Sequence, residues 1–184
     1  MGIRKRLGKK IRKLRGDLKE YQEIKEERRL AKSKTAYQVL LTQYADAYRK
    51  PVSDHTILYE SFWGRGMVDN PYAIFLEISG RQEFADLKHI WVIDDFEDNQ
   101  PIMDIYRERA DVVFVQYRTK EYAEALATAR YLVNNTTFQN FFVKRPEKVY
   151  INTWHGTPMK ALGYDMTGGN SGVANTMRNF LCAD

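Results

Sequence analysis

The sequence has few of the residues that cross-link a chain or cluster around a metal. Its one cysteine, Cys182, excludes an intramolecular disulfide framework and is typical of a reducing compartment. Its three histidines, His55, His89 and His155, share no short metal-ligand spacing, so no structural zinc site is expected. No apolar run approaches the roughly 18–20 residues that span a bilayer, and no signal-peptide core follows the basic N-terminus. These absences argue against a secreted or transmembrane protein.

Charge is distributed unevenly over a chain that is otherwise typical of a folded domain. The 184 residues are 43% hydrophobic and 13% aromatic, which is enough for a sizeable core. Residues 1–35 contain 14 Lys and Arg against 5 Asp and Glu, a net charge of +9, whereas residues 36–184 carry a net charge of −4. We therefore predict two regions, a basic helical extension over 1–35 and a body over 36–184.

Residues 1–34 lack proline and predict an amphipathic helix. Apolar residues recur at steps of four and three, which places them on one helical face. They are Ile3, Leu7, Ile11, Leu14 and Leu18. A basic helix of this kind suits an anionic membrane surface, where each Lys or Arg contributes about 1 kcal/mol. A solvated helix that packs on its own domain or on a partner stays open, as does a nucleic-acid arm. The first sixteen residues contain no aromatic side chain to stack on bases, so we predict a membrane surface and no nucleic acid as partner.

In the body, short apolar runs alternate with helical stretches. The runs that predict strands are 56–59, 89–94, 112–117, 130–134 and 148–153. The predicted helices begin at Asn70, as N-cap before Pro71, and at Thr119, and two more are predicted over about 138–143 and 175–181. This alternation predicts an α/β fold with a mostly parallel sheet, in which ligands bind beyond the carboxyl ends of the strands.

The densest polar cluster, residues 152–160, directly follows the last predicted strand. His155 is a candidate general base, because the pKa of imidazole allows proton abstraction near neutral pH. Gly156 permits close backbone approach, and Lys160 adds a cation that can neutralise phosphate. Judged by spacing alone, a lone histidine in a turn also fits a structural role.

Two further segments give weaker signals. The acidic run 94–98 follows a predicted strand and has the ligand chemistry for Mg²⁺, but acidic loop residues are common, and we predict no metal site. The glycine-rich run 168–172 precedes a predicted helix but matches no phosphate-binding pattern, so we interpret it as a loop.

Four ordered segments resemble a known family. They are the strand and turn 151–163, INTWHGTPMKALG; the strand, turn and helix start 59–73, YESFWGRGMVDNPYA; the run 126–135, LATARYLVNN; and 141–145, FFVKR. Together they resemble the CDP-glycerol glycerophosphotransferases that build the teichoic acids of the cell wall. The similarity extends over about residues 56–184.

The resemblance implies the N-terminal, acceptor lobe of a GT-B-like fold, with a Rossmann-like parallel sheet and no cofactor. His155 would be the general base on the terminal hydroxyl of a lipid-linked polymer at the cytoplasmic face of the membrane. That hydroxyl would attack the β-phosphate of CDP-glycerol and release CMP. The resemblance also implies substrate-binding residues. Arg65 and Lys160 are candidates for phosphate contacts, and Glu60 and Asn134 are candidates for orienting the acceptor or the base. The other candidates are Trp154, Gly156 and Thr157, and each of these residues also fits a structural role.

The sequence ends at Asp184, where the family's donor lobe and its second histidine would follow. We therefore expect this chain to be a fragment that lacks the donor lobe and does not turn over on its own. Three alternatives remain open: a ribitol-phosphate transferase of the same family, a GT-B-like nucleotide-sugar glycosyltransferase, and a non-catalytic membrane-binding adaptor.

Overall fold

The computed structural model describes residues 3–156 and 177–184, with helix α1 described by its backbone alone at 3–21, 23 and 24. The chain divides into two compact units, Met1–Val39 and Leu40–Asp184. The first unit is formed by most of α1 (Ile3–Ala47). The helix predicted over 1–34 is therefore longer than expected and ends at Ala47. Its predicted apolar face at 3–18 lies outside the described side chains. Across the described residues, no helix has both the length and the apolarity needed to cross a bilayer.

The second unit is built on a five-stranded sheet. Its strands are β1 (Ser53–Glu60), β2 (Lys88–Ile93), β3 (Val112–Gln116), β4 (Ala129–Asn134) and β5 (Val149–Asn152). All neighbouring pairs are parallel, and the order is β3-β2-β1-β4-β5. The predicted α/β fold with a Rossmann-like parallel sheet is thus confirmed. Because the strand order reverses direction between β1 and β4, the crevice at their carboxyl ends is the place where such sheets bind ligands.

Helices connect the first four strands. They are α2 (Asp69–Ser79), a 3₁₀ helix (Gln82–Phe84), α3 (Gln100–Ile105) and α4 (Lys120–Thr128). The predicted N-cap of α4 is present, since the Thr119 hydroxyl accepts a hydrogen bond from the Tyr122 N–H at 3.3 Å. Residues 177–181 are also helical, while positions 175 and 176 of the predicted last helix lie outside the described residues.

Two helix predictions are wrong. Asn70 does not cap α2, which begins at Asp69 after Val68, because the Asn70 side chain instead donates to the Trp154 carbonyl at 3.2 Å. The segment 138–143 is not helical. It packs as an irregular chain in which Phe138 and Phe142 lie against Tyr150 of β5, with ring centroids 5.1 and 5.7 Å from it.

The sheet separates two apolar cores. One contains the last turns of α1, helix α4 and the 138–142 segment, and it is centred on Leu58, Leu126 and Leu132. The other lies under α2 and is aromatic, with Tyr59, Phe75 and Trp91 fully buried. Both faces of the central strands are covered, which is why these strands appear in the sequence as continuous apolar runs.

Candidate functional site

Three polar side chains stand in one row at the carboxyl edge of the sheet. The register places Glu60 of β1 beside Asn134 of β4, and Asn134 beside Asn152 of β5. Glu60 and Asn134 are fully buried. The row therefore crosses the reversal point between β1 and β4, and it forms the floor of the crevice.

Glu60 is a buried carboxyl group without an ion-pair partner among the described residues. Burial raises the pKa of Glu60 to about 8, although Tyr122, Asn134 and the charge of Arg118 each lower it. The Asn134 amide donates to Glu60 Oε1 at 3.2 Å. The Tyr122 hydroxyl is close enough to affect this pKa, yet neither it nor Glu60 Oε2 has a partner with hydrogen-bond geometry in the described part of the chain. Glu60 is consequently mostly protonated at neutral pH.

Asn134 and Asn152 hold the loop that follows β5. The Asn134 carbonyl accepts a hydrogen bond from the Thr153 N–H at 2.9 Å. Asn152 Oδ1 accepts from the Trp154 N–H at 3.0 Å, and Asn152 Nδ2 donates to the Thr136 carbonyl at 2.6 Å. The two asparagines thus fix the start of the loop that carries His155.

His155 is exposed, three residues after the end of β5. It stands between two residues with positive φ, Trp154 at 54° and Gly156 at 142°. Its ring lies 5.4 Å from the Phe62 ring, so it adjoins the loop after β1. The Trp154 ring stacks on Phe180 at 4.5 Å and 13°. The His155 imidazole is therefore accessible to a ligand, whereas the Trp154 side chain is held by its stacking on Phe180.

The loop after β1 has an unusual backbone. Phe62 and Trp63 have φ of 45° and 59°, and this left-handed region is costly for residues with a side chain. The Asn135 side chain stabilises the turn, since its Oδ1 accepts from the Phe62 N–H at 2.9 Å while its amide donates to Asp69 at 2.6 Å. This loop presents Arg65 as an exposed side chain that forms no ion pair with any described residue.

Gly64 joins this loop to its neighbours. Its carbonyl accepts from the Asp94 N–H at 2.6 Å, and a Cβ at this position would lie 2.9 Å from that nitrogen and 3.2 Å from the Tyr117 Cβ. With φ of +89° as well, the position requires glycine. The loops after β1, β2 and β3 therefore meet at Gly64.

The predicted site residues converge on this edge as far as they are described. Glu60, Asn134 and Trp154 support the loops, while Arg65, His155 and Gly156 lie at the surface of the crevice. Thr157, Lys160 and the glycine-rich run 168–172 lie outside the described residues. The other two histidines are elsewhere: His55 is exposed and pairs with Asp86 at 2.5 Å, and buried His89 is hydrogen-bonded to Tyr59 at 3.0 Å.

Several further residues of this edge have a position that the sequence predicts but no predicted role. Asn135 and Asn152 directly follow or end apolar runs, so the rule that ligands bind at strand ends marks them. Arg118 carries the same signal after β3. Tyr122 carries none, because a tyrosine within a helix is ordinarily part of a core.

The acidic loop after β2 is organised by its own backbone. The Asp95 carboxylate accepts from the Glu97 N–H at 2.9 Å and from the Asp98 N–H at 3.1 Å. Over the residues that the structure describes, no group of three or more His, Cys, Asp or Glu side chains is placed to hold a metal ion.

A family model, curated sequences and solved structures all match this chain to proteins of one kind. The family model for CDP-glycerol:poly(glycerophosphate) glycerophosphotransferase matches residues 42–183. The teichoic acid poly(glycerol phosphate) polymerase of Bacillus spizizenii is 32% identical over 116 residues, 63% of this chain and 28% of that protein. The polymerase of Bacillus subtilis is 30% identical over 138 residues, 73% of this chain and 17% of that protein. The teichoic acid glycerol-phosphate transferase of Staphylococcus aureus is 29% identical over 111 residues, 60% of this chain and 26% of that protein.

Solved structures of the wall teichoic acid polymerase TagF share the fold. One variant is 28% identical, with a TM-score of 0.55 over 70% of this chain and 30% of that one. Another, soaked with CDPG, is 25% identical, with a TM-score of 0.61 over 77% of this chain and 33% of that one. The chain spans less than a third of the length of the curated relatives it matches.

Proposed function

Because the chain belongs to the CDP-glycerol:poly(glycerophosphate) glycerophosphotransferase family, we propose that it forms the acceptor lobe of an enzyme that transfers glycerol phosphate from CDP-glycerol to a lipid-linked teichoic-acid-type polymer. One observation carries the proposal: the exposed His155 adjoins the β1 loop at the edge where the strand order reverses. An accessible imidazole in that crevice can take a proton from a bound hydroxyl.

In the proposed reaction, His155 accepts the proton of the acceptor's terminal hydroxyl. That oxygen then forms a bond to the β-phosphorus of CDP-glycerol. The bond from this phosphorus to the bridging oxygen breaks, and CMP leaves with the electron pair. Phosphoryl transfer depends mainly on positioning and on neutralising the phosphate oxygens.

The surrounding residues have supporting roles in this proposal. Arg65 is exposed beside the crevice, and Lys160 follows His155 in the sequence. In this proposal both contact phosphate oxygens. Asn134 and the neutral Glu60 fix the loop from which His155 extends, with Asn134 bonded to Thr153 at 2.9 Å. Trp154, Gly156 and Thr157 shape the same loop against the acceptor. For the described residues, each role follows from the residue's place at the carboxyl edge, and for Thr157 and Lys160 it follows from the family resemblance alone.

Substitution of His155 in the intact protein that contains this segment tests the general-base role. His155→Ala is expected to lower CMP release in the presence of a lipid-linked glycerophosphate primer by about 10²- to 10⁴-fold, the usual contribution of a general base. His55→Ala is the matched control, since His55 is also exposed but pairs with Asp86 away from the crevice. Turnover by His155→Ala within about threefold of the wild type would refute the role.

We propose that the 184 residues alone do not turn over. The matched 70–80% of this chain covers 30–36% of the solved polymerase chains, and the donor is expected to bind in the remainder. The measurement is CMP release from CDP-glycerol by this polypeptide with a glycerophosphate primer. Multiple turnovers by the purified chain would contradict the proposal.

We also propose that the basic part of α1 holds the protein at the cytoplasmic face of the membrane. The test is sedimentation with vesicles containing anionic lipid. Changing Lys9, Lys10, Arg12 and Lys13 to Gln should weaken binding strongly, because these residues have no acidic neighbour before Asp17. The control changes Lys25, Arg28, Arg29 and Lys32 to Gln, where Glu23, Glu26 and Glu27 are interspersed and Glu26 pairs with Arg29 at 2.5 Å. Equal binding by the first variant and the wild type would exclude this role.

A further inference from the structure

Arg118, directly beyond β3, is an exposed cation that no mechanism above uses. It has φ of +62°, a left-handed conformation that ordinarily favours glycine or asparagine. Its guanidinium lies 5.0 Å from the centre of the Tyr117 ring. It forms no ion pair with any residue of the described ranges 3–156 and 177–184. Backbone strain at a residue whose charge has no ion-pair partner is typical of a ligand-binding position.

The ring beneath Arg118 is held firmly. Tyr117 is 7% exposed, and its N–H donates to the Ile93 carbonyl at 2.8 Å. The Tyr117 hydroxyl accepts a hydrogen bond from the Gln139 amide. Stacking on a fixed ring limits the conformations of the guanidinium, so less entropy is lost when it binds an anion.

Arg118 and Arg65 stand in adjoining loops. Arg65 follows Gly64 and Arg118 follows Tyr117, and these two preceding residues are so close that a Gly64 Cβ would lie 3.2 Å from the Tyr117 Cβ. The loop between them in the sheet order carries four acidic residues, Asp94, Asp95, Glu97 and Asp98. Within the described part of the chain, none of them forms an ion pair with these arginines, and the Asp95 carboxylate accepts hydrogen bonds from two backbone N–H groups.

The buried carboxyl of Glu60 also affects the charge balance around Arg118. It is near enough to Arg118 for the arginine's charge to lower the pKa of Glu60, yet burial keeps that pKa at about 8. The neutral acid therefore does not cancel the charge of Arg118 at neutral pH. Both arginines stand in loops at the carboxyl edge of the sheet, as does His155, which adjoins Phe62 three residues before Arg65.

We propose that Arg118 and Arg65 together bind phosphate groups of the acceptor, a polyol-phosphate chain whose terminal hydroxyl reaches His155. This inference rests on the proposed function and adds a residue that holds the acceptor's backbone. Guanidinium groups match phosphate oxygens with paired N–H donors, and two of them on adjoining loops suit a polymer with regularly spaced phosphates.

The test is titration calorimetry of the 184-residue chain at low salt with a short glycerol phosphate oligomer, and separately with CDP-glycerol. Arg118→Gln and Arg65→Gln are each expected to weaken oligomer binding about 10- to 150-fold, in line with the loss of a charge-assisted hydrogen bond. Arg107→Gln is the matched control, because Arg107 is also exposed but pairs with Asp104. The oligomer affinity of this control should equal that of the wild type.

A second variant separates binding from folding. Arg118→Gly should weaken oligomer binding as much as Arg118→Gln, while its Tm should not fall, because glycine adopts positive φ without strain. Oligomer binding by Arg118→Gln within twofold of the wild type would overturn the inference and leave the proposed function standing. The chain alone is not expected to bind CDP-glycerol. CDP-glycerol binding that Arg118→Gln removes while oligomer binding stays unchanged would assign the arginine to the donor and also overturn the inference. A wild-type chain that does not bind the oligomer at all would refute the acceptor-lobe function itself.

Discussion

At the scale of single residues, strained backbone is concentrated where the chemistry is proposed. Phe62 and Trp63 follow β1, Arg118 follows β3 and Trp154 follows β5, and all have φ between 45° and 62°. Each such residue costs on the order of 1 kcal/mol or more relative to an ordinary conformation. The described strain thus lies along the carboxyl edge of the sheet and shapes the loops that form the crevice.

Gly64→Ala is expected to destabilise the protein by about 2–4 kcal/mol, because the added Cβ would meet the Asp94 nitrogen and φ is +89°. Gly80→Ala is the matched control. Gly80 has φ of −93°, and its nearest neighbour would be 3.6 Å from a Cβ, so its replacement should change the free energy of unfolding by less than about 1 kcal/mol. Urea unfolding of both variants measures this, and equal effects would contradict the role given to Gly64.

Asn152→Ala is expected to lower kcat of the intact enzyme about 10- to 100-fold with little change in KM for the donor. The substitution removes the acceptor of the Trp154 N–H and the donor to the Thr136 carbonyl, so the His155 loop loses its fixed start. Steady-state CMP release gives both constants. A KM effect without a kcat effect would argue against positioning by Asn152.

The sequence predicts part of this edge well. Glu60, Asn134 and His155 each end or closely follow an apolar run, and their convergence depends only on the strands being parallel. The role of Arg118 depends on which loops adjoin, and Tyr122 lies in a helix. The positions of Arg118 and Tyr122 relative to the site depend on strand order and on packing across the sheet. The local pattern of apolar and polar residues encodes neither of these.

At the scale of elements, strands were easier to predict than helices. The five strand predictions agree with the observed strands to within a few residues, because strands buried on both faces are continuous apolar runs. The 138–143 segment has the same apolar content without helical backbone, since Phe138 and Phe142 pack on β5. The predicted end of α1 at 34 was too early, because the last turns, at Leu40, Tyr44 and Ala47, contribute to the core.

Tyr44→Phe is expected to cost about 1–2 kcal/mol of stability. The Tyr44 hydroxyl donates to the Val143 carbonyl at 3.1 Å and accepts from the Val143 N–H at 3.2 Å, so its loss leaves two backbone groups unpaired. Tyr48→Phe is the control on the same helix, since the ring of Tyr48 contacts Arg145 and Tyr44 and is retained in phenylalanine. Equal destabilisation by the two variants, measured by chemical denaturation, would count against this reading.

At the scale of the whole molecule, two buried ionisable groups at opposite ends of the sheet give opposite pH dependences. Burial raises the pKa of Glu60 to about 8, so its contribution to stability is present below the unfolded value of about 4.5 and is lost as the pH rises to 8. Lys148 is buried beside the amino end of β5, where its Nζ donates to the Leu126 carbonyl at 2.6 Å. Burial lowers its pKa to about 7, so its contribution is present above about 10.5 and is lost as the pH falls to 7.

The two groups together predict a minimum in the free energy of unfolding near pH 7–8, each effect being on the order of a few kcal/mol. Glu60→Gln should reduce the fall in the free energy of unfolding between pH 5 and 8. Lys148→Met should reduce its rise between pH 7 and 9.5. Glu108→Gln, at an exposed position, serves as the control and should keep the wild-type profile. Urea unfolding across this pH range measures all four proteins. A Glu60→Gln profile identical to that of the wild type would exclude Glu60 as the source.

The meeting of three loops at Gly64 has a consequence for how such a lobe can diverge. A longer side chain or an insertion in the loop after β1 displaces the Asp94 backbone and Tyr117 at once, since both lie against Gly64. The loops after β1, β2 and β3 are therefore sterically coupled. A chimera that transplants one of them alone would inherit a mismatch at the glycine, whereas a chimera that exchanges all three together would keep the contact.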